Sequence, residues 1–279
     1  MCTRLFSLVV VGCLVIGGSA TWATPGSDWE WIYPLPQGNT LMGVWGTGAD
    51  DVFAVGDHGT ILHYDGLAWS EMSSGTTDCL CGVWGSGPND VFAVGEYGTI
   101  LHYNGSTWSA MTSGTTEVLH GVWGSGPNDV FAVGEEGTVL RYNGSSWSAM
   151  TSGTYWHLLD VWGSGPNDVY AVGVDDLTIP EQGGIWNYDG SSWFSQGGGG
   201  PLYGVWGSGP NDVFVVGFTY LNEPPWFRSE IYHTSGGSWN VTTVSRSLLY
   251  EVSGSGPNDV CVVGIDARFD LRSFRLFHG

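Results

Sequence analysis

The chain contains no lysine. Its seven basic residues are all arginine, set against 27 acidic ones, for a formal charge of −20 over 279 residues. Nucleic-acid binding is excluded on that ground, because neutralising a phosphate backbone takes clustered Lys and Arg. An anionic membrane surface is excluded in the same way. Schiff-base chemistry on lysine and a phosphate-binding P-loop are ruled out by the missing residue itself. Cysteine is scarce: five in all, two of them near the N-terminus, leaving Cys79, Cys81 and Cys261. That odd number is far below a disulfide scaffold. Cys79 and Cys81 lie two apart on one strand face, too far for an easy bridge, and read as buried apolar thiols. No zinc-ligand spacing is present. Helical periodicity is missing too, and no apolar run is long enough to span a bilayer. Charged residues are only 12% of the chain, against 42% apolar and 14% aromatic, which speaks against intrinsic disorder.

Residues 1–23 read as an export signal: one charge at Arg4, an apolar run from Leu5 to Ile16, then Gly17-Gly18-Ser19-Ala20. Cleavage after Ala20 or Ala23 fits the small-residue rule. The expected location is secreted or periplasmic, as a soluble monomer. Val10-Val11-Gly12-Cys13 is the alternative, a lipobox that would lipidate Cys13.

A repeat dominates what is present. Gly-Val-Trp-Gly recurs at Trp45, Trp84, Trp123 and Trp206, Asp-Val-Trp-Gly falls at Trp162, and a sixth copy has Ser253 in the Trp slot. The spacings are 39, 39, 39, 44 and 47 residues. An aspartate follows each slot by six: Asp51, Asp90, Asp129, Asp168, Asp212 and Asp259. One unit reads as four strands: Leu80 to Trp84, Val91 to Val94, Thr99 to Tyr103, and Trp108 to Met111. The turns lie at Pro88-Asn89, Gly95 to Gly98 and Asn104-Gly105. A period near 40 with four short strands is the pattern of a β-propeller blade. Six units predict an all-β, six-bladed propeller over residues 24–279. The last unit lacks its fourth strand, and Trp29-Glu30-Trp31 stands in nearly the register to supply it. An N-terminal strand completing the last blade would close the ring and remove the open edges.

The stretch Asp51 to Trp69, Asp-Val-Phe-Ala-Val-Gly-x-x-Gly-Thr-Ile-Leu-His-Tyr-Asp-Gly-x-x-Trp, resembles the repeats of bacterial secreted propellers of the WD-repeat, YVTN and BNR-like superfamily. It is also similar to tectonin repeats. The resemblance runs over about residues 28–279. It implies a propeller, and the tectonin likeness implies glycan binding. The sialidase Asp box, the kelch Gly-Gly pair and the Trp-Asp ending of WD repeats are absent.

Comparison among the six units separates frame from freedom. The leucine slot (Leu41, Leu80, Leu119, Leu158, Leu202, Leu249) and the two tryptophan slots serve packing between blades. The six turn aspartates are expected to accept backbone N–H groups in their turns. No calcium loop is present, and no metal or cofactor is expected. The free positions gather at one end of the blades. They include His120, Tyr203 and Tyr250 three before the Trp slot, His157 five before it, and Tyr97 in a turn between second and third strands. Two insertions share that end, Val174 to Gln182 and Phe218 to Ser229, as do two tryptophans outside the frame, Trp156 and Trp226. These seven residues are the candidate ligand contacts. Aromatics on loops beside carboxylates and histidines suit sugar stacking or a protein contact.

The function expected is non-catalytic binding of a carbohydrate or protein on the insertion-bearing face. The alternatives are a structural or adhesive cell-surface component and a glycan-cleaving hydrolase. The hydrolase would need two carboxylates facing one bond, and Glu96, Glu135, Asp175, Asp176 and Glu223 are the candidates. The sequence pairs none of them, and no nucleophile or metalloprotease motif occurs.

Overall fold

The computed structural model describes residues 38–178, 181–221, 227–245, 247–266 and 274–278. The expected export signal, Trp29-Glu30-Trp31, Glu223 and Trp226 lie outside the described residues. The described chain is all β apart from three single 3-10 turns. It forms six antiparallel sheets in chain order, five with four strands and the last with three. Each sheet is a simple meander, so neighbours in sequence pair in space. In the second sheet the strands are Leu80–Gly87, Asp90–Gly95, Ile100–Tyr103 and Trp108–Met111. The first strand outruns its expected end at Trp84: Gly87 pairs with Asp90, and only Pro88-Asn89 turns.

The second strand is buried along its length, Val91 to Gly95. Both faces are covered because sheets two to five each pack between two others. The cores lie between sheets, as in the cluster that joins Phe53, Val55 and Ile61 to Leu80, Val91, Tyr103 and Trp108. Two recurring contacts make these interfaces. The tryptophan of each Val-Trp-Gly lies over the glycine of the next one, where an added Cβ on Gly124 would meet the Trp84 ring at 2.5 Å and one on Gly163 the Trp123 ring at 2.6 Å. The fourth-strand tryptophan sets its plane nearly perpendicular to the preceding sheet's phenylalanine. Trp108 stands at 78° to Phe53, Trp147 at 83° to Phe92 and Trp193 at 79° to Phe131. Such edge-to-face pairs add about 0.5–1.5 kcal/mol beyond area burial. Both tryptophan slots are frame, as expected.

The turn aspartates correct the sequence reading. Among the described residues their partners are side-chain donors in place of the expected backbone N–H groups. One oxygen accepts from the hydroxyl four residues earlier: Thr47 to Asp51, Ser86 to Asp90, Ser125 to Asp129, Ser164 to Asp168, Ser208 to Asp212 and Ser255 to Asp259. The other oxygen takes a third-strand side chain. His63 Nε2 lies 2.7 Å from Asp51, His102 Nε2 2.6 Å from Asp90, Arg141 Nε 2.6 Å from Asp129 and His233 Nε2 2.7 Å from Asp212. Asn187 Nδ2 fills the role for Asp168 at 3.1 Å. The histidine rings also stack on the second-strand phenylalanine, with His63 4.3 Å from Phe53. The aspartate thus ties three strands together. Replacing Asp90 by Ala strands a hydroxyl and an imidazole, and a loss of roughly 1–3 kcal/mol in urea unfolding is expected. Asp90→Asn, which keeps one acceptor, should cost less.

The cysteines also differ from the reading as plain apolar thiols. Cys79 is buried, but its Sγ lies 3.2 Å from Asp57 Oδ1. Cys81 and Cys261 are half-buried. No disulfide joins any of the three.

Candidate functional site

The meander fixes which parts share an end. Leu80 pairs with Gly95, and Ile100 with Met111. The start of the first strand, the turn between second and third strands and the exit of the fourth therefore lie together. Backbone bonds tie them: Asp57 N to Thr40 O, Glu96 N to Cys79 O, and Phe218 N to Pro201 O. This is the end that carries the free positions.

Its clearest feature is an aromatic cluster in the fifth and sixth sheets. Tyr203 stacks on Phe218 at 5.2 Å with an interplanar angle of 17°. Tyr250 stands edge-on to both, 5.3 Å from Tyr203 and 5.8 Å from Phe218. Tyr220 packs against Phe218 at 5.4 Å and leaves 56% of its surface exposed. Burial raises the Tyr203 phenol above its ordinary range and pushes Tyr250 up to about 12, so both stay neutral donors at physiological pH. Two of the seven expected contacts, Tyr203 and Tyr250, are thus brought together.

Phe218 and Tyr220 escaped the sequence reading because the segment was taken as an insertion. It is a strand extension. Strand Asp212–Tyr220 pairs with Phe227–Thr234 in register from Phe218↔Ser229 to Tyr220↔Phe227. The alternating aromatics at 218 and 220 were the available signal. Close by, Glu230 is buried and takes the Tyr232 hydroxyl at 2.9 Å and Arg228 at 3.1 Å. The fourth-sheet insertion is closed by Asp175, whose Oδ1 accepts from Glu181 N and Gln182 N at 3.0 Å each.

The other expected contacts scatter. Trp156 turns inward, edge-on to Trp186 at 5.5 Å, and packs on the core between sheets three and four. Its neighbour Tyr155 is the exposed one, at 85%. His120 Nε2 lies 3.8 Å from Glu135. His157 sits at the base of the fourth-sheet insertion, opposite Val174, with no hydrogen-bond partner for its buried Nδ1 among the described residues. Tyr97 is exposed in a left-handed turn conformation (φ 55°) and lines a separate cleft of about 910 Å³ with Trp108, Ser74 and Thr115. Of the hydrolase carboxylates, Glu96 binds Cys79 N and Asp176 binds Thr178. Among the described residues no group of three or more His, Cys, Asp or Glu is placed to hold a metal.

The carboxylates that do interact are two the sequence reading passed over, Asp160 and Glu251. They occupy the slot filled by Gly43, Gly82, Gly121 and Gly204 in the other sheets. There the first strands crowd: a Cβ on Gly121 would meet Asp160 Cα at 3.1 Å, and one on Gly204 would meet Glu251 Cα at 3.1 Å. Asp160 accepts from Val161 N and, across sheets, from Val205 N, each at 2.8 Å. Lack of surrounding water pushes Asp160 up to about 6. The same desolvation, with the Asp160 charge second, holds Glu251 well above the usual carboxylate range. The signal was the break in a glycine slot otherwise kept.

No protein-family model matches the chain, and no curated protein matches it in sequence. Among solved structures it is similar to "YCF48 bound to D1 peptide", with a TM-score of 0.62 and 14% identity over 87% of this chain and 82% of that one. It is also similar to YCF48 from Cyanidioschyzon merolae, with a TM-score of 0.53 and 15% identity over 88% of this chain and 97% of that one. Identity this low speaks for the fold alone. Together with repeated four-stranded sheets packed side by side, that likeness supports a β-propeller.

Proposed function

We propose that this protein is a non-catalytic binding propeller whose ligand is a segment of another protein. The site is the end bearing Tyr203, Phe218, Tyr220 and Tyr250, and the observation that carries this reading is that partly exposed aromatic cluster. A neutral phenol with one exposed face combines apolar area and a hydrogen-bond donor, which suits a protein contact. The free positions differ from sheet to sheet, which favours one asymmetric site over a repeated sugar site. The similar YCF48 structure in complex with a D1 peptide supports a peptide over a glycan as the ligand.

The same proposal includes a closed six-bladed ring, with the segment around Trp29-Glu30-Trp31 as the fourth strand of the last blade. Two observations support it. Val44 in the first strand of the first sheet is 37% exposed, where its counterparts Val83 and Val122 are buried, so that face lacks a cover among the described residues. The final sheet has three described strands where each of the others has four. Export by residues 1–23 and a monomeric state belong to the proposal as well.

Selection of a displayed dodecapeptide library on the folded protein tests the reading. Tyr220→Ser, which removes an exposed ring, should weaken the selected peptides by about 2 kcal/mol or more. Phe194→Ser, on an outer strand, should leave them unchanged. Peptides that bind Tyr220→Ser and the unaltered protein equally would overturn this assignment.

A further inference from the structure

We infer that the partner segment docks by adding a strand to the outer edge of the fifth sheet, along Trp239–Ser245, and from there crosses the rim to Tyr220. This rests on the protein-binding reading above and adds how the segment is held. The outer strand of a sheet turns one row of backbone N–H and C=O groups away from its neighbour, and folded proteins keep such edges short, charged or bent. The first three sheets do so by length: Trp69–Met72, Trp108–Met111 and Trp147–Met150 have four residues each. In the fourth sheet Trp193–Gly197 has five, and its pairing is broken by a register shift between Ile185 and Trp186. Trp239–Ser245 has seven, and it pairs with Phe227–Thr234 position by position, from Thr234↔Trp239 to Arg228↔Ser245, without a shift. It contains no charged residue, proline or glycine, and four of its seven residues, Val241 to Val244, are β-branched. Arg246 follows the strand and does not interrupt it.

The edge is open to solvent. Trp239 fixes its far end, standing at 84° to Tyr170 and donating its indole N–H to Gln196 at 3.3 Å. Asn240, Val241, Thr242 and Thr243 are exposed, Val241 at 50%. The strand also leads to the proposed site. Arg228 pairs with Thr219 on one side and with Ser245 on the other, and Tyr220 pairs with Phe227. The Ser245 end therefore lies at the aromatic-bearing end. Strands are spaced about 4.8 Å apart, so an added strand lies roughly 14 Å from the one that carries Tyr220. At about 3.3 Å per residue, about four or five residues cover that distance. A segment of about twelve residues thus fills the edge and reaches the tyrosine. Antiparallel pairing continues the meander and puts the segment's N-terminal residues at the rim. Backbone hydrogen bonds hold it, and the β-branched row beside them selects uncharged, β-branched or aromatic residues at alternate positions. A second copy of this chain is the less favoured occupant, because two chains of formal charge −20 repel each other.

The test takes dodecapeptides selected on the full chain and methylates their backbone nitrogens one at a time. Affinity loss should alternate along about seven successive residues, because only every second N–H of a strand faces a given neighbour. Each sensitive position should cost about fivefold to tenfold. Val241→Lys combined with Thr243→Lys, which charges the edge, should weaken the same peptides by about tenfold or more. Both side chains are exposed, and an unchanged melting temperature shows that the fold is kept. The methylation series leaves the protein unaltered, so it decides the matter even where the lysine variant folds poorly. Peptides that lose affinity in Tyr220→Ser, yet show no alternation and bind the lysine variant normally, would overturn strand addition and leave the protein-binding reading standing. Dimers of the chain in sedimentation, lost in the lysine variant, would make a second copy the occupant and overturn the partner segment at this edge. No peptide binding to the folded chain would overturn both the strand addition and the protein-binding reading.

Discussion

Replacing Phe131 by alanine is expected to destabilise the protein by about 3–5 kcal/mol, the range for emptying a large buried aromatic site. Phe131 is fully buried between the third and fourth sheets. Its ring meets Tyr188 at 5.8 Å, Trp193 at 6.3 Å and Trp123 at 6.4 Å, and the Arg141 guanidinium lies 5.0 Å over its face. Truncation removes all four contacts, and the strands on either side are held by register and cannot close the gap. Arg141 also loses its aromatic support, which weakens its hold on Asp129. Urea unfolding of Phe131→Ala against Phe194→Ala, an exposed control, measures the difference. A cost below about 1 kcal/mol would mean that the inter-sheet interfaces do not carry the stability.

The second large effect is a fall in stability as pH rises. Asp160 takes up its proton near pH 6 in the folded chain and near 3.8 when unfolded. Between those values the folded state binds more protons, so the stabilising contribution is complete below about pH 4 and is lost as pH climbs through 6. The shift corresponds to roughly 2–3 kcal/mol, and Glu251, also held high, extends the decline upward. Asp189 works in the opposite sense at the acid end. Its carboxylate is held down to about 2, first by the Ser191 hydroxyl and then by the Ser192 and Ser191 amides, so its contribution disappears as pH falls from about 4 toward 2. Maximum stability is therefore expected on the acid side, near pH 4. Asp160→Asn combined with Glu251→Gln should flatten the curve between pH 4 and 7. The cost is one backbone bond at Val205 or Val161, on the order of 1 kcal/mol. A wild-type melting temperature that rises through pH 4–7 would contradict this account.

The frame of this protein was legible because it is written several times over. The tryptophan, leucine and aspartate slots recur, and each serves the same packing in every sheet. Strand positions followed from apolar runs between turn residues, and the four-stranded units are where the spacing put them. The partners of the aspartates were harder to see. Asp51 and His63, Asp90 and His102, and Asp129 and Arg141 are each twelve apart, but the partner's identity changes from His to Arg to Asn, which hides the pattern. Aspartate in a turn more often serves its own backbone, and that prior misled.

The site was less legible because it lies where the repeat breaks. Tyr203 and Tyr250 were identifiable as variable positions, but Phe218 and Tyr220 looked like part of a loop. Only the pairing of Phe218 with Ser229 turns that loop into strand and sets the aromatics beside Tyr203. Trp156 looked available for a ligand, and its place against Trp186 gives it a packing role. Asp160 and Glu251 stand two sheets apart, and nothing local predicts that their charges meet.

Amide hydrogen exchange, with and without a selected peptide, tests the central claim most directly. The account predicts slowed exchange in the segments around 155–160, 201–204, 218–221 and 247–251, which together make the aromatic-bearing end. Protection confined to the Gly-Ser-Gly-Pro-Asn turns of the opposite end, or to the outer fourth strands, would contradict it.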